Sequence, residues 1–583
     1  MLLFVVTAAV IAGAYLHTLD DGYAFDDYES IRDNPTLDHW RDIGPIWHFR
    51  PSRFVVHMSL ALNVATSGRS LVAFRLTNLV IHWLCAVLVG WIAVQLLEVT
   101  RSGAPPRAPG DPSSSRRATW IALAAALVFA AHPLATQAVT YLIQRTTSLA
   151  ALLELGAVAT YLGARARQRA RGTAWTLWGV SWALAVLAAF TKEMAFALPF
   201  LIAMIELVLR QHERARPAGG SPTGQDRQPA RRTWPWLLPY LAVVPIIAVT
   251  TQLPAIELDG RLPGLRETTE IGRAAYLWTE LVVIPRYLAL AIWPAGQNLD
   301  HDVPLRPTPD LTVAAGALLL VALTLLAWRL RRRWPLVTIG WLWCLIALLP
   351  ESSLIPISDV MNEHRTYLPL AGLVWPAAVA LVTAGTAIGA RWRSGTGSSH
   401  GTGTDRPVTG PTTGLATGLA TAALLVAVVV PLAIATHERN MVWRDELTLW
   451  RDVTRKSPGK ARGYNNLGLA LAARGRLAAA EKAYRRAIEL DPDYVYARVN
   501  LGQLYGTTGR PEQALELFEE AVAIDPEHVA ALNNLGTARW TLGDLAGAEA
   551  AYRQALAVAP QAREPRRNLM RLLEATGAST TSP

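Results

Sequence analysis

Residues 310–333 read DLTVAAGALLLVALTLLAWRLRRR, and the reading of this stretch decides the fold class. Between Asp310 and Arg329 lie 18 residues without a charge. Wound as a helix at 1.5 Å per residue they cover about 27 Å, enough to cross a hydrocarbon core of about 30 Å. The run ends in the cluster from Arg329 to Arg333, with Trp334 beside it. Arginines collect on the cytoplasmic flank of a span, and an indole ring favours the membrane boundary. The segment therefore reads as a transmembrane helix.

The same window applied along the chain predicts about eleven spans. They fall near 2–19, 71–97, 119–136, 146–163, 173–190, 193–210, 233–253, 310–330, 334–350, 367–390 and 414–436. Of the 583 residues 51% are hydrophobic, and the apolar excess is concentrated before residue 440. Residues 2–19 lack a basic start and a small-x-small cleavage site, so they read as a retained span and not as a removed leader. Segments 98–117, 211–232 and 392–413 have the Pro, Gly, Ser and Thr content of linkers. Cys85 and Cys344 both fall inside apolar spans and give neither a disulfide framework nor metal-ligand spacing.

A net charge of +10 invites a nucleic-acid partner, but the basic residues lie in short runs between apolar segments. No aromatic-interleaved basic face accompanies them, so nucleic acid is not expected. The runs are Arg101, Arg107, Arg116 and Arg117; Arg165, Arg167, Arg169 and Arg171; Arg210 to Arg232; Arg329 to Arg333; and Arg391 with Arg393. All belong in the cytoplasm, which leaves loops 20–70, 137–145, 254–309 and 351–366 outside. Residues 273–293 are also apolar, yet Arg273, Glu280 and Arg286 are costly in lipid. Counting them as a span would turn the later arginine clusters outward, so they are expected to form an interfacial or re-entrant helix in an external loop. The C-terminal part then lies outside the cytoplasm.

That part is periodic. Pro458, Pro492, Pro526 and Pro560 recur at a step of 34 residues, as do Asn466, Asn500, Asn534 and Asn568, and Gly475, Gly509 and Gly543. Units such as YNNLGLALAARGRLAAAEKAYRRAIELDP resemble tetratricopeptide repeats, pairs of helices that cross at small residues and stop at the proline. The expected repeats are 461–494, 495–528 and 529–562, followed by a capping helix at 563–577. Such arrays bind extended peptide or serve as a packed scaffold for assembly. Nothing in them encodes catalysis.

Chemistry must therefore come from polar residues at the predicted outer ends of the spans, where desolvation is expensive unless a group is paired. Asp26 and Asp27 follow the first span and suit a general base or a metal ligand; alternatively they form an exposed acidic loop. His132 opens the second external loop and Arg145 closes it. An Arg there suits a phosphate through its planar fork of donors, or it snorkels to headgroups. Lys192 and Glu193 occupy a tight turn, as a functional pair or as an ion pair that caps it. Glu363, His364, Arg365 and Tyr367 stand where the chain re-enters the membrane.

These pieces, in this order, resemble the transmembrane and tetratricopeptide-repeat O-mannosyltransferases, membrane glycosyltransferases of the C-type fold. The resemblance rests on Phe25-Asp26-Asp27, Arg50-Pro51, the run from Phe74 to His82, Ala131-His132-Pro133, Gln144-Arg145, Thr191-Lys192-Glu193, the run from Asn298 to Asp302, and Glu363 to Pro369 with the repeats. One departure is Ser52, which stands where the family usually has leucine after Arg-Pro. The resemblance implies an all-α fold: a polytopic glycosyltransferase core over 1–436, with its first external loop at 20–70, and a repeat α-solenoid over 437–583. It implies a polyprenyl-phosphate-linked sugar as donor, mannose foremost, and Ser or Thr hydroxyls of exported proteins as acceptors. Asp26 or Asp27 would be the base, while Arg145, Lys192, His364 and Arg365 would hold the donor phosphate. His132, Glu193, Glu363 and Tyr367 would support them. No cofactor is expected; Asp26-Asp27 would permit a divalent metal, which is not favoured. The expected location is the cytoplasmic membrane with the repeats on the extracytoplasmic side. The alternative is a non-enzymatic membrane scaffold whose repeats recruit partners in the cell envelope.

Overall fold

The computed structural model describes residues 1–101, 112–169, 174–214, 237–252, 271–352, 356–396 and 411–576. The linker centres of 98–117, 211–232 and 392–413 lie outside the described residues, as do Arg107 and Arg171. All described regular structure is helical, and the chain divides into two compact units. The division falls between Arg444 and Asp445 and not at residue 436. Its reason is local: Trp443 stacks on Tyr141 at 5.3 Å and stays with the first unit.

The first unit holds α1 (Leu2–Tyr15), α2 (Ile43–Phe49), α3 (Phe54–Ser67), α4 (Leu71–Arg101) and α5 (Pro112–Ala131). It continues with α6 (Thr136–Thr140), α7 (Arg145–Arg169), α8 (Trp175–Ala189), α9 (Leu198–Arg214) and α10 (Val243–Gln252). It closes with α11 (Arg273–Ile292), α12 (Leu311–Leu330), α13 (Pro335–Leu348), α14 (Tyr367–Thr396) and α15 (Pro411–Met441). Among the described residues six helices are long and apolar enough to cross a membrane, and a seventh is the pair Ser115–Ala131 and Pro133–Thr140, bent by 55° at Pro133. Four shorter apolar helices, Leu2–Thr18, Trp175–Ala189, Leu238–Thr251 and Pro335–Leu348, coincide with other expected spans. Outward-facing leucines and valines on α12 and α15 remain exposed, as lipid-facing surfaces do.

Two segments carry buried acids. The span expected at 193–210 starts with a 3-10 turn, Glu193–Ala197, and α9 is amphipathic instead of uniformly apolar. Its Glu206 accepts from Arg165 at 2.7 Å, Arg210 at 2.7 Å and Tyr161 at 2.9 Å. The acid is thereby neutralised inside the protein, which is how a buried charge is tolerated. Helix α11 is long and apolar enough to span by length and composition. Several of its polar groups bond residues that lie between helices. Tyr276 donates to the Glu351 carbonyl, Tyr287 to that of Asn362, and the Arg306 N–H donates to Thr279. Its Ala291 carbonyl meets the His132 ring at 3.0 Å.

The second unit contains α16 (Glu446–Lys456) and the pairs α17 (Ala461–Ala472) with α18 (Leu477–Leu490), α19 (Val495–Thr507) with α20 (Pro511–Ile524), and α21 (Val529–Thr541) with α22 (Leu545–Val558), capped by α23 (Arg563–Thr576). Each pair turns at a glycine of the 34-residue step: Gly475, Gly509 and Gly543 have φ of 70, 77 and 88°, where a side chain is penalised. Asn298–Val303 also folds into this unit. Asp300 is held there by Arg462 at 2.8 Å, and its carbonyl accepts from Ser457 at 2.7 Å.

Candidate active site

The segment after α1 is fastened to the protein on both sides of its exposed acid, Asp26. The Asp27 carboxylate accepts the N–H of Ala24 at 3.1 Å and that of Ile143 at 2.8 Å, and the side chain is buried. Burial pushes its carboxyl up to about 7, against the pull of those two N–H groups and Arg75. Arg75 in turn donates to the carbonyls of Gly22 and Thr140. The Asp26 N–H donates to the Tyr141 hydroxyl at 2.9 Å. Phe25, between the anchors, has φ of 47°, a left-handed conformation that a residue with a Cβ adopts only under constraint. The outcome is an asymmetric pair: Asp27 faces inward as an anchor, and Asp26 presents its carboxylate at the surface.

Cations gather beside it from the same loop. Arg50 lies close enough to Asp26, Arg53 and Glu193 to feel their charges. Burial and the neighbouring Arg53 bring its guanidinium down to about 10. Arg53 pairs with Glu193 at 2.7 Å. Lys192 does not pair with its neighbour Glu193: it bonds Glu351 at 2.7 Å and the Thr147 hydroxyl at 3.0 Å. Burial raises the Glu351 carboxyl, but Lys192, Arg365 and Arg53 together outweigh it and hold the group below the usual range. His364 stands within reach of the charges of Lys192, Arg365 and Arg53. Among the described residues no three His, Cys, Asp or Glu side chains converge as a metal-binding group.

Several residues expected at the donor phosphate have internal partners instead. Arg145 is fully buried, with Nε on Asn78 at 2.7 Å, Nη1 on Asn63 at 2.6 Å and Nη2 on the Phe74 carbonyl at 3.0 Å. It ties α3 and α4 to α7 and has no face turned to a ligand. Arg365 is likewise enclosed, donating to the carbonyls of Val360 and Asp359 and lying 3.6 Å from Glu280. His132 caps its turn through Leu134, Glu363 accepts from Gln297, and Tyr367 meets His82 at 2.7 Å. Arg50 thus feels Asp26, Arg53 and Glu193, and His364 feels Arg53 and Lys192, whereas the hydrogen bonds of Arg145 run to Asn78, Asn63 and Phe74. Sequence reasoning passed over Tyr141, Arg50 and Arg53 as site residues, although Arg50-Pro51 was a legible motif.

Fold and site together define a multi-pass, all-helical membrane protein with a C-terminal tetratricopeptide-repeat array. Models of the tetratricopeptide repeat match residues 461–527 and 499–563. Along most of its length the chain is similar to Protein O-mannosyl-transferase Tmtc3 of Drosophila melanogaster, at 23% identity over 543 residues, covering 83% of this chain and 54% of that protein. It thus spans about half the length of that curated relative. Similar solved structures include the first TPR of Spaghetti (RPAP3) bound to the HSP90 peptide SRMEEVD, 23% identical over 20% of this chain and 94% of the other, with a TM-score of 0.20. The Arabidopsis OM64 TPR domain is 25% identical over 20% of this chain and 95% of its own, with a TM-score of 0.19.

Proposed function

We propose that the chain is a membrane glycosyltransferase that moves a sugar, mannose foremost, from a polyprenyl-phosphate donor to Ser or Thr hydroxyls of exported proteins. The observation that carries this reading is the exposed Asp26 carboxylate, held by the Phe25 turn and the Tyr141 hydroxyl beside a cluster of cations. The likeness to Tmtc3 supports it.

In this reading Asp26 takes the proton of the acceptor hydroxyl as that oxygen attacks the anomeric carbon. The new C–O bond forms as the bond from the anomeric carbon to the phosphate oxygen breaks, and the polyprenyl phosphate leaves with the electron pair. One displacement inverts the anomeric centre. Asp27 anchors the loop, and the neighbouring cations offset the charge that develops on the leaving phosphate.

The site and the exit toward the repeats share an end of the first unit. Asn440 accepts from Thr140 at 2.6 Å and donates to the Ala14 carbonyl, and the Gly22 N–H donates to that of Arg444. The chain thus leaves the membrane unit beside the Asp26 loop, which supports an extracytoplasmic repeat domain that receives acceptor protein or partners.

The test is sugar transfer from polyprenyl-phosphate mannose to a Ser/Thr peptide by membranes containing the protein. Asp26→Asn should reduce turnover by about 100-fold or more, the usual worth of a positioned base. Transfer at the wild-type rate would remove Asp26 from the mechanism. If deletion of 445–583 then abolished cellular function, the scaffold reading would take its place.

A further inference from the structure

We propose that Arg50 and Arg53, with His364 near Arg53, hold the phosphate of the lipid-linked donor, in place of Arg145 and Arg365. This rests on the transferase reading and gives its donor site named residues.

Three nitrogen-bearing groups around Arg53 have atoms without partners among the described residues. Arg50 is partly exposed, and its guanidinium makes no hydrogen bond. Arg53 is 7% exposed; its Nη2 is on Glu193, while its buried Nη1 has no partner. The buried Nδ1 of His364 has none either. They come from distant parts of the chain, yet Arg53 is close enough to sense both Arg50 and His364.

Such an arrangement is unfavourable without a ligand. Two guanidiniums side by side repel, and a buried N–H without an acceptor forfeits its full hydration. Only one of the two has a carboxylate partner at contact distance, Glu193. An anion with several oxygens would meet both needs at once, because planar guanidiniums grip phosphate oxygens through paired N–H groups. The place also fits: the sugar on that phosphate must present its anomeric carbon to a base, and Asp26 is an exposed acid whose charge Arg50 feels. By contrast, the hydrogen bonds of Arg145 and Arg365 are made to the protein itself.

The recognised chemistry is a phosphate group, which a polyprenyl phosphate, a membrane phospholipid or free phosphate would each offer. Commitment is to the polyprenyl phosphate, and titration of the purified full-length protein in detergent by intrinsic tryptophan fluorescence distinguishes them. The probes are a polyprenyl phosphate, inorganic phosphate and phosphatidylglycerol. The wild type should bind the polyprenyl phosphate more than tenfold tighter than either other probe. Arg50→Gln should weaken that binding about tenfold or more, as loss of a charge-assisted grip does. Among the described residues Arg50 makes no hydrogen bond and is repelled by Arg53, so this variant should melt no lower than the wild type, and Arg50→Lys should recover part of the affinity. Asp26→Asn should bind the polyprenyl phosphate at least as tightly as the wild type while failing to transfer sugar. Unchanged binding by both Arg50→Gln and Arg53→Gln would overturn the assignment and leave the transferase reading standing. Equal affinity for phosphatidylglycerol or inorganic phosphate would also overturn it. A wild type that binds no polyprenyl phosphate would remove the donor class, and this inference with it.

Discussion

Phe25 shows what a single residue contributes here. A left-handed φ costs a residue with a side chain about 1–3 kcal/mol, and it persists only where the surroundings over-determine it. Here the anchors on either side do so, and the bend is what turns Asp26 outward. Phe25→Gly relaxes the bend, so thermal stability should hold or rise while sugar transfer falls; paired melting and rate measurements would separate the two effects. Asp27 makes a prediction in pH. Its folded carboxyl titrates near 7, well above the value of about 3.9 in an unfolded chain. The folded state therefore binds the proton more tightly, and the stability from this group is complete below about 4 and lost as pH rises through about 7. Asp27→Asn should flatten the melting temperature over that interval; an unchanged slope would mean the carboxyl titrates elsewhere. Sequence marked the two adjacent acids as a pair. It had no means of telling anchor from base, because that depends on Ile143 and Tyr141 from another loop.

At the scale of elements, helix packing depends on small residues that no window of hydropathy notices. A side chain added at Gly340 would run into the Gly372 carbonyl and the Pro376 ring, where α13 and α14 touch backbone to backbone. Gly340→Leu should destabilise the first unit by about 1–3 kcal/mol or more, read as earlier unfolding in detergent. The repeat helices were legible almost residue by residue, since proline, glycine and asparagine recur at one step and each neighbour packs alike. Helix α11 was harder. Its composition suits a span, its charges suit an interface, and only the partners of Tyr276, Thr279 and Tyr287 show which ends it lies against.

For the molecule as a whole, α7 sets the scale. Arg145 at its start and Arg165 near its end are 20 residues apart, or about 30 Å along a helix, the thickness of a hydrocarbon core. Arg165 joins Glu206, Arg210 and Glu213 at the end expected in the cytoplasm. The Asp26 loop, Tyr141 and Arg444 meet at the other. A phosphatase reporter fused after Pro583 should therefore be active outside the cell membrane. A reporter active only in the cytoplasm would overturn that orientation.

The amino-acid order by itself determined that the chain is helical, multispan and carries a repeat array, and which stretches between the spans hold its acids and cations. Those properties follow from local composition and fixed periods, which need no knowledge of what touches what. Tertiary structure alone decided the division of labour among those residues. A guanidinium binds a ligand or braces the fold according to whether acceptors already surround it. For Arg145 they do, supplied by Asn63, Phe74 and Asn78; for Arg50, among the described residues, they do not.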